Sequence, residues 1–172
     1  MDEDCRIRAW RMEDAPALAE GLNNARVQAQ LRDGLPYPYT KEDAEAYLSM
    51  LRTARTGVVC AFAIEAGGRV VGNLSATRME NIHRCTAELG YFIAEPFWGR
   101  GYGSAAVRQA CAQIFQTTDI IRLFAQPFAD NAASCRLLEK CGFQCEGVLR
   151  KNAVKDGRVR DMKMYAILRP EA

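Results

Sequence analysis

Trp98-Gly99-Arg100-Gly101-Tyr102-Gly103-Ser104 is the stretch whose reading decides the fold. An apolar run, residues 89–94, precedes it, and an amphipathic run, residues 104–115, follows. A glycine-dense turn between a strand and a helix presents unpaired backbone N–H groups at the positive end of the helix dipole. Such a place binds anions, phosphate above all. Glycines at 99, 101 and 103 let the backbone approach a diphosphate and adopt conformations that a β-carbon forbids. The chain contains no GxxxxGK[ST], so the turn is not a Walker loop.

Outward from the turn, strand and helix patterns mix. Upstream, residues 58–65, 69–78 and 84–94 read as a three-stranded meander, with Ala66-Gly67-Gly68 as a hairpin signal. Downstream come a helix over 104–116, a strand over 120–126 and a helix over 131–141, closed by Gly142. Residues 144–151 and 158–168 form a last hairpin around Lys155-Asp156-Gly157. Towards the N-terminus, a short strand over 5–10 leads into helical pieces over 13–22 and 23–32. The segment Leu35-Pro36-Tyr37-Pro38-Tyr39-Thr40 is too proline-rich to continue a helix, and Thr40 caps the next one, which runs to about residue 54. Antiparallel strands followed by a strand–helix–strand–helix crossover imply an α/β (α+β) chain forming a single domain over residues 1–172. Its mixed sheet would be mostly antiparallel, with about seven strands and helices on both faces.

The 172 residues are 49% apolar and 26% charged, the balance of a globular protein with a real core. A net charge of +2, from 23 basic and 21 acidic residues, implies no strong attraction to nucleic acid or membrane. The acidic start, Met1-Asp2-Glu3-Asp4, has no secretory apolar region, so a cytoplasmic location is expected. The 7 cysteines lack metal-ligand spacing; Cys141 and Cys145 resemble half a zinc pair, but His83 is the only histidine and no second pair follows. They read as small hydrophobes in a reducing compartment, and no metal is expected.

The crossover sets the glycine turn at the C-terminal end of a central strand, where open α/β sheets bind ligands. Three stretches then occur in order: Ala87-Glu88-Leu89-Gly90-Tyr91-Phe92-Ile93, Pro96-Phe97-Trp98-Gly99-Arg100-Gly101-Tyr102-Gly103, and Asn131-Ala132-Ala133-Ser134 with Glu139-Lys140-Cys141-Gly142-Phe143. Together they resemble the GNAT superfamily of acetyltransferases over nearly the full length, and most closely its ribosomal-protein alanine N-acetyltransferase branch. The superfamily's phosphate motif usually carries Gln or Arg where Trp98 stands; tryptophan there is common in that branch. Diphosphate binding would then rest on the backbone N–H groups of Gly99, Arg100, Gly101, Tyr102, Gly103 and Ser104.

The resemblance implies acetyl-CoA as donor, its pantetheine arm beside the strand end at Phe92 and Ile93. Asn131 matches the family asparagine near that arm, although it would serve equally as the N-cap of its own helix. Lys140 would approach the adenosine phosphates or simply lie solvated at a helix end. The family tyrosine seven residues beyond the asparagine is replaced by Leu138; Ser134, three beyond it, would face the thioester sulfur instead, unless it only bonds its own first turn.

An alkylammonium is scarcely nucleophilic at neutral pH, so a base or a water relay is needed. Strand alternation puts Glu88, Gly90 and Phe92 on one face and Leu89, Tyr91 and Ile93 on the other. A carboxylate amid an apolar central strand is costly without a purpose, which makes Glu88 the candidate base or ammonium-binding group; the competing reading is a structural hydrogen bond or ion pair to a neighbouring strand. Tyr37 and Tyr39 on the proline loop would wall the acceptor cleft or pack in the core. Lys151, Lys155, Arg158 and Arg160 on the last hairpin read as a solvated patch. The expected function is acetyl transfer to a primary amine in a ternary complex, with a peptide N-terminal α-amine favoured over a small amine such as a polyamine, amino acid or antibiotic. A CoA-binding module without turnover is the reading from another class. A monomer or a homodimer is expected, with no nucleic-acid or membrane partner.

Overall fold

The computed structural model describes residues 5–53 and 59–171. In chain order these form β1 (Cys5–Ala9), α1 (Ala15–Leu22), α2 (Ala25–Gln28), α3 (Lys41–Thr53), β2 (Val59–Ala66), β3 (Arg69–Arg78) and β4 (Thr86–Ile93). There follow α4 (Tyr102–Thr117), β5 (Arg122–Ala125), α5 (Ala132–Lys140), β6 (Gln144–Lys155) and β7 (Arg158–Leu168). The strands make one 7-stranded sheet in the order β1-β2-β3-β4-β5-β7-β6, antiparallel throughout except for β4 and β5. The meander expected upstream of the turn is β2-β3-β4; the first residue expected of its first strand, Val58, lies outside the described residues, as does the expected end of α3 at residue 54.

Two apolar cores cover the two faces. On one, α4 and α5 pack Val107, Ala110, Ile114 and Leu138 against Leu74, Ala87 and Leu89. On the other, α1 and α3 bring Leu18, Leu22 and Leu48 against Phe92. The alternation expected of β4 therefore holds: odd residues face α4 and α5, and Phe92 faces α1–α3. Local chemistry sets the helix starts. Thr40 and Asp43 form a reciprocal capping box, Asp43 N–H donating to Thr40 Oγ1 at 3.2 Å and Thr40 N–H to Asp43 Oδ2 at 2.8 Å.

Two elements differ from the sequence expectation. The helical piece expected over 23–32 is the four-residue α2, capped by Asn24 Oδ1, which accepts from Arg26 and Val27 N–H at 2.9 and 3.1 Å. Tertiary donors shape the residues around its end: Gln28 Nε2 donates to the carbonyls of Leu22 and Pro36, and Arg160 to that of Ala29. The strand expected to stop at 151 continues to Lys155 through a register shift between Leu149 and Ala153. Lys151 has φ 53° there, and its N–H is held by Asp161 Oδ1 at 2.7 Å.

An ionic cluster fastens β1 to its neighbours. Arg8 bonds Asp14 at 2.7 and 2.9 Å and Glu65 at 2.6 Å, and Arg6 adds a 2.8 Å bond to Glu65. Both carboxylates are buried. Burial pushes the Asp14 carboxyl up, but Arg8 and the Arg11 amide overcome this and hold it below its ordinary value. Arg8, then Arg6, holds Glu65 down likewise.

Candidate functional site

The sheet opens at its centre. β4 and β5 pair only over Thr86–Arg122, Ala87–Leu123 and Glu88–Phe124. Beyond Glu88, β4 continues to Ile93 with β3 alone beside it. The Met79 N–H bonds the Thr86 carbonyl, and the Ala94 N–H bonds the Val71 carbonyl, so even-numbered residues of β4 turn their main-chain groups to β3. Odd-numbered Leu89, Tyr91 and Ile93 turn theirs into the gap. Exposed strand groups of this kind are satisfied by an extended, amide-rich ligand.

The gap is the wall of a cleft of about 900 Å³. The glycine turn forms its end. Gly99 and Gly101 have φ 74° and 84°, and Gly101 is the N-cap of α4 with no side chain capping it. The first amides of α4 are thus available to an anion, with the helix dipole behind them. Trp98 does not reach for a phosphate: its Nε1 donates to the Ile93 carbonyl at 2.6 Å, stapling the turn to the strand end, and Arg26 stacks on its ring at 5.3 Å. Gly103 allows α5 to approach, since a Cβ there would stand 2.6 Å from Leu137.

All the residues assigned to the cofactor from sequence line this one cleft: Phe92, Ile93, Gly99, Arg100, Gly101, Tyr102, Gly103, Ser104, Asn131 and Lys140. Glu88 and Ser134 line it too. Phe92 touches the cleft only at its margin, since its main chain pairs with β3 and its ring packs in the core with α1 and α3. Asn131 caps α5, its Oδ1 accepting from the Ser134 N–H at 3.1 Å. Arg136 joins Arg100 and Lys140 on the same lining, a cationic set that composition alone does not single out.

Tyr37 and Tyr39 are corrected. Tyr39 is buried in the core with Leu18, Val27 and Leu48, and Tyr37 is exposed; neither is among the cleft residues, which on the side of α2 are Val27, Gln30, Leu31 and Arg32. The proline kinks turn the Tyr39 ring inward against α1 and α3, where burying an aromatic outweighs exposing it. Arg11 and Glu13 pair with each other away from the cleft, and Asp14 belongs to the Arg8 cluster. The last hairpin is no solvated patch throughout: the Lys155 and Arg160 side chains are only 11% and 17% exposed and bond Asp33 and Asp130.

Glu88 forms an ion pair with Arg32, from the segment after α2; one guanidinium nitrogen lies 3.3 Å from Oε2 and another bonds Oε1. The Glu88 side chain remains 23% exposed to the cleft. Across the gap, Tyr91 Oη and Ser134 Oγ are 2.7 Å apart. Burial pushes the Tyr91 phenol well above its ordinary value, and the Ser134 bond offsets part of that. The sequence did not mark Tyr91, although its odd position on β4 points it at α5. Cys5, Cys111 and Cys135 pack as hydrophobes in the core, whereas Cys145 is exposed; burial pushes Cys111 up to about 12 and raises Cys60 and Cys141.

Comparison with known proteins agrees with this geometry. The family model described as an acetyltransferase (GNAT) domain matches residues 5–144. YdaF of Bacillus subtilis is 29% identical over 99% of this chain and 94% of its own. The [ribosomal protein uS5]-alanine N-acetyltransferase of Escherichia coli is 31% identical over 59% of this chain and 51% of its own. Other curated relatives are likewise matched over about half of their length. RimJ of Mycobacterium smegmatis, solved in complex with CoA-disulfide, superposes with a TM-score of 0.86 at 26% identity, covering 95% of this chain and 81% of that one. With its glycine turn, parted strands and matching domain, this chain belongs to the GNAT acetyltransferase family.

Proposed function

We propose that this chain is an N-acetyltransferase that moves the acetyl group of acetyl-CoA to the N-terminal α-amine of a protein or peptide, by direct attack in a ternary complex. The observation that carries the reading is the meeting of three features in one cleft: the uncapped first turn of α4, the β4 edge that β5 leaves open, and Glu88. The cleft fits acetyl-CoA: amides of residues 99–104 would take the diphosphate, Arg100, Arg136 and Lys140 the remaining phosphate charge, and the Leu89–Ile93 edge the pantetheine amides.

Acetyl-CoA supplies an activated acyl carbon on a thiol leaving group. Glu88, directly or through water, takes a proton from the acceptor ammonium. The freed nitrogen forms the new C–N bond and gives up its second proton as the C–S bond breaks; that proton reaches the departing thiolate through Ser134 or solvent, so the serine ends as it began, and Glu88 returns its proton to solvent. Tyr91 holds the Ser134 hydroxyl in position through a bond in which either oxygen can donate; when the phenol donates to Oγ, the serine hydrogen is left to point into the cleft.

The acceptor assignment rests on charge. Among the described residues that line the cleft, Glu88 is the one carboxylate, beside Arg26, Arg32, Arg100, Arg136 and Lys140. A polyamine needs several anionic partners, whereas one α-ammonium needs one. Among the curated relatives, one of E. coli is named for a ribosomal-protein alanine and one of Vibrio cholerae for spermidine, so the choice of acceptor rests on the charge of the cleft. The test is thiol release from acetyl-CoA with a panel of peptides and with spermidine. Turnover on peptides alone is expected; turnover on spermidine alone would replace the acceptor, and coenzyme A binding without turnover on any amine would leave a binding module.

A further inference from the structure

We infer that Arg32 selects acceptors carrying a carboxylate close to the reacting amine, so that the substrate class is a peptide N-terminus with an acidic residue in its first few positions. This rests on the peptide acetyl-transfer reading above. Glu88 already holds the Arg32 guanidinium through both carboxylate oxygens. An acceptor ammonium arriving at Glu88 competes for the same two oxygens. The Arg32 side chain is 65% exposed, so its pair with Glu88 is weakly held and readily exchanged.

Once displaced, Arg32 finds no second acid on the cleft wall among the described residues, because Glu88 is the one carboxylate of those that line it. The two aspartates nearby in the fold are engaged elsewhere: Asp33 bonds Lys155 Nζ at 2.7 Å, and Asp130 pairs with Arg160. A carboxylate supplied by the acceptor restores the lost pair, and a guanidinium takes it with two parallel bonds.

Arg32 is also positioned for this task from outside the cleft. The β6–β7 hairpin grips the chain on both sides of it. Lys155 holds Asp33, while Arg160 donates to the Ala29 carbonyl at 3.2 Å and to Gln30 Oε1 at 3.4 Å. Arg160 is itself stacked on Phe128 at 3.6 Å. The exposed guanidinium therefore swings from a fixed backbone, over a short arc, between Glu88 and the acceptor.

The experiment compares two peptides identical except for Asp or Asn at the third position, with wild type, Arg32→Gln, Arg32→Lys and Lys155→Met. Coenzyme A binding of each variant, by calorimetry, reports an intact fold. Wild type is expected to favour the Asp peptide in kcat/KM by about two- to fivefold, the size of an exposed charge pair, with the ratio shrinking as salt is raised. Arg32→Gln brings the ratio to about one; Arg32→Lys keeps part of it, and Lys155→Met lowers it by loosening the segment. A wild-type ratio of one, or a preference that survives Arg32→Gln, overturns the inference and leaves peptide acetylation standing. Failure to acetylate either peptide, with coenzyme A still bound, sinks the peptide reading and the inference together.

Discussion

Tyr91 Oη lies 2.7 Å from Ser134 Oγ, a bond that joins β4 to the first turn of α5 at the floor of the cleft. Leu138, at the position where the superfamily often carries a tyrosine, is wholly buried and has no proton to give. A tyrosine from the neighbouring strand stands behind the serine instead.

Replacing that phenol tests the arrangement. Tyr91→Phe keeps the ring packing and removes one hydrogen bond, worth about 1 kcal/mol. The expected result is a kcat lowered about fivefold, with KM for acetyl-CoA unchanged. In a Ser134→Ala background the same change should add nothing, because the serine through which Tyr91 acts is gone. Steady-state kinetics of the two single variants and the double one decide it; additive losses would mean that the hydroxyls act separately.

Gly101 has φ 84° as the N-cap of α4, a conformation that a β-branched side chain adopts only with strain. Gly101→Val therefore either distorts the turn or crowds the amides that face the anion. Strain of about 1–3 kcal/mol at this point corresponds to a loss of acetyl-CoA affinity of about ten- to a hundredfold. Calorimetry with coenzyme A measures it directly, and unaltered affinity would remove the turn from cofactor binding.

Much of this was legible in the chain because it is local. The turn at residues 98–104, the alternation along β4 and the Thr40 cap each depend on neighbours within one or two turns of sequence, and each is found as read. What escaped depends on distance. Whether Tyr39 faces a cleft or a core is set by α1 and α3 closing over it, which no spacing encodes. The ties from Lys155 to Asp33 and from Arg160 to Ala29 and Gln30 join residues more than a hundred positions apart. They turn a hairpin that looks solvated into the support of the segment that carries Arg32. Tyr91 left one trace, its odd position on β4, but only the approach of α5 gives that side chain a partner.

In the proposed reaction Glu88 carries the charge that serves the acceptor amine. Glu88→Gln keeps the shape and removes the negative charge, so both proton removal and ammonium binding should suffer. A fall in kcat/KM of about a hundredfold or more is expected for a lost general base. Coenzyme A binding should hold, since the carboxylate is paired with Arg32 and is not part of the glycine turn. Rates within twofold of wild type across the pH range would end its candidacy.

Arg8 offers a test of the scaffold that is independent of catalysis. Its guanidinium is 15% exposed and serves Asp14 and Glu65, whose side chains are 8% and 10% exposed. Arg8→Met leaves two nearly buried carboxylates short of their main partner, which should destabilise the fold by about 3 kcal/mol at pH 7. The sign of the pH dependence follows from the carboxyls being held below their ordinary values in the folded chain. Their stabilisation is complete above the unfolded carboxyl values of about 4 and is lost as pH falls through the lowered folded values. In Arg8→Met, burial acts on Asp14 without that guanidinium, which favours the protonated form. The gap in stability between wild type and variant should therefore be widest near neutrality and narrow below about pH 4. Denaturant unfolding at a series of pH values would show it, and a gap constant from pH 7 down to pH 3 would mean that Arg8 contributes packing rather than charge.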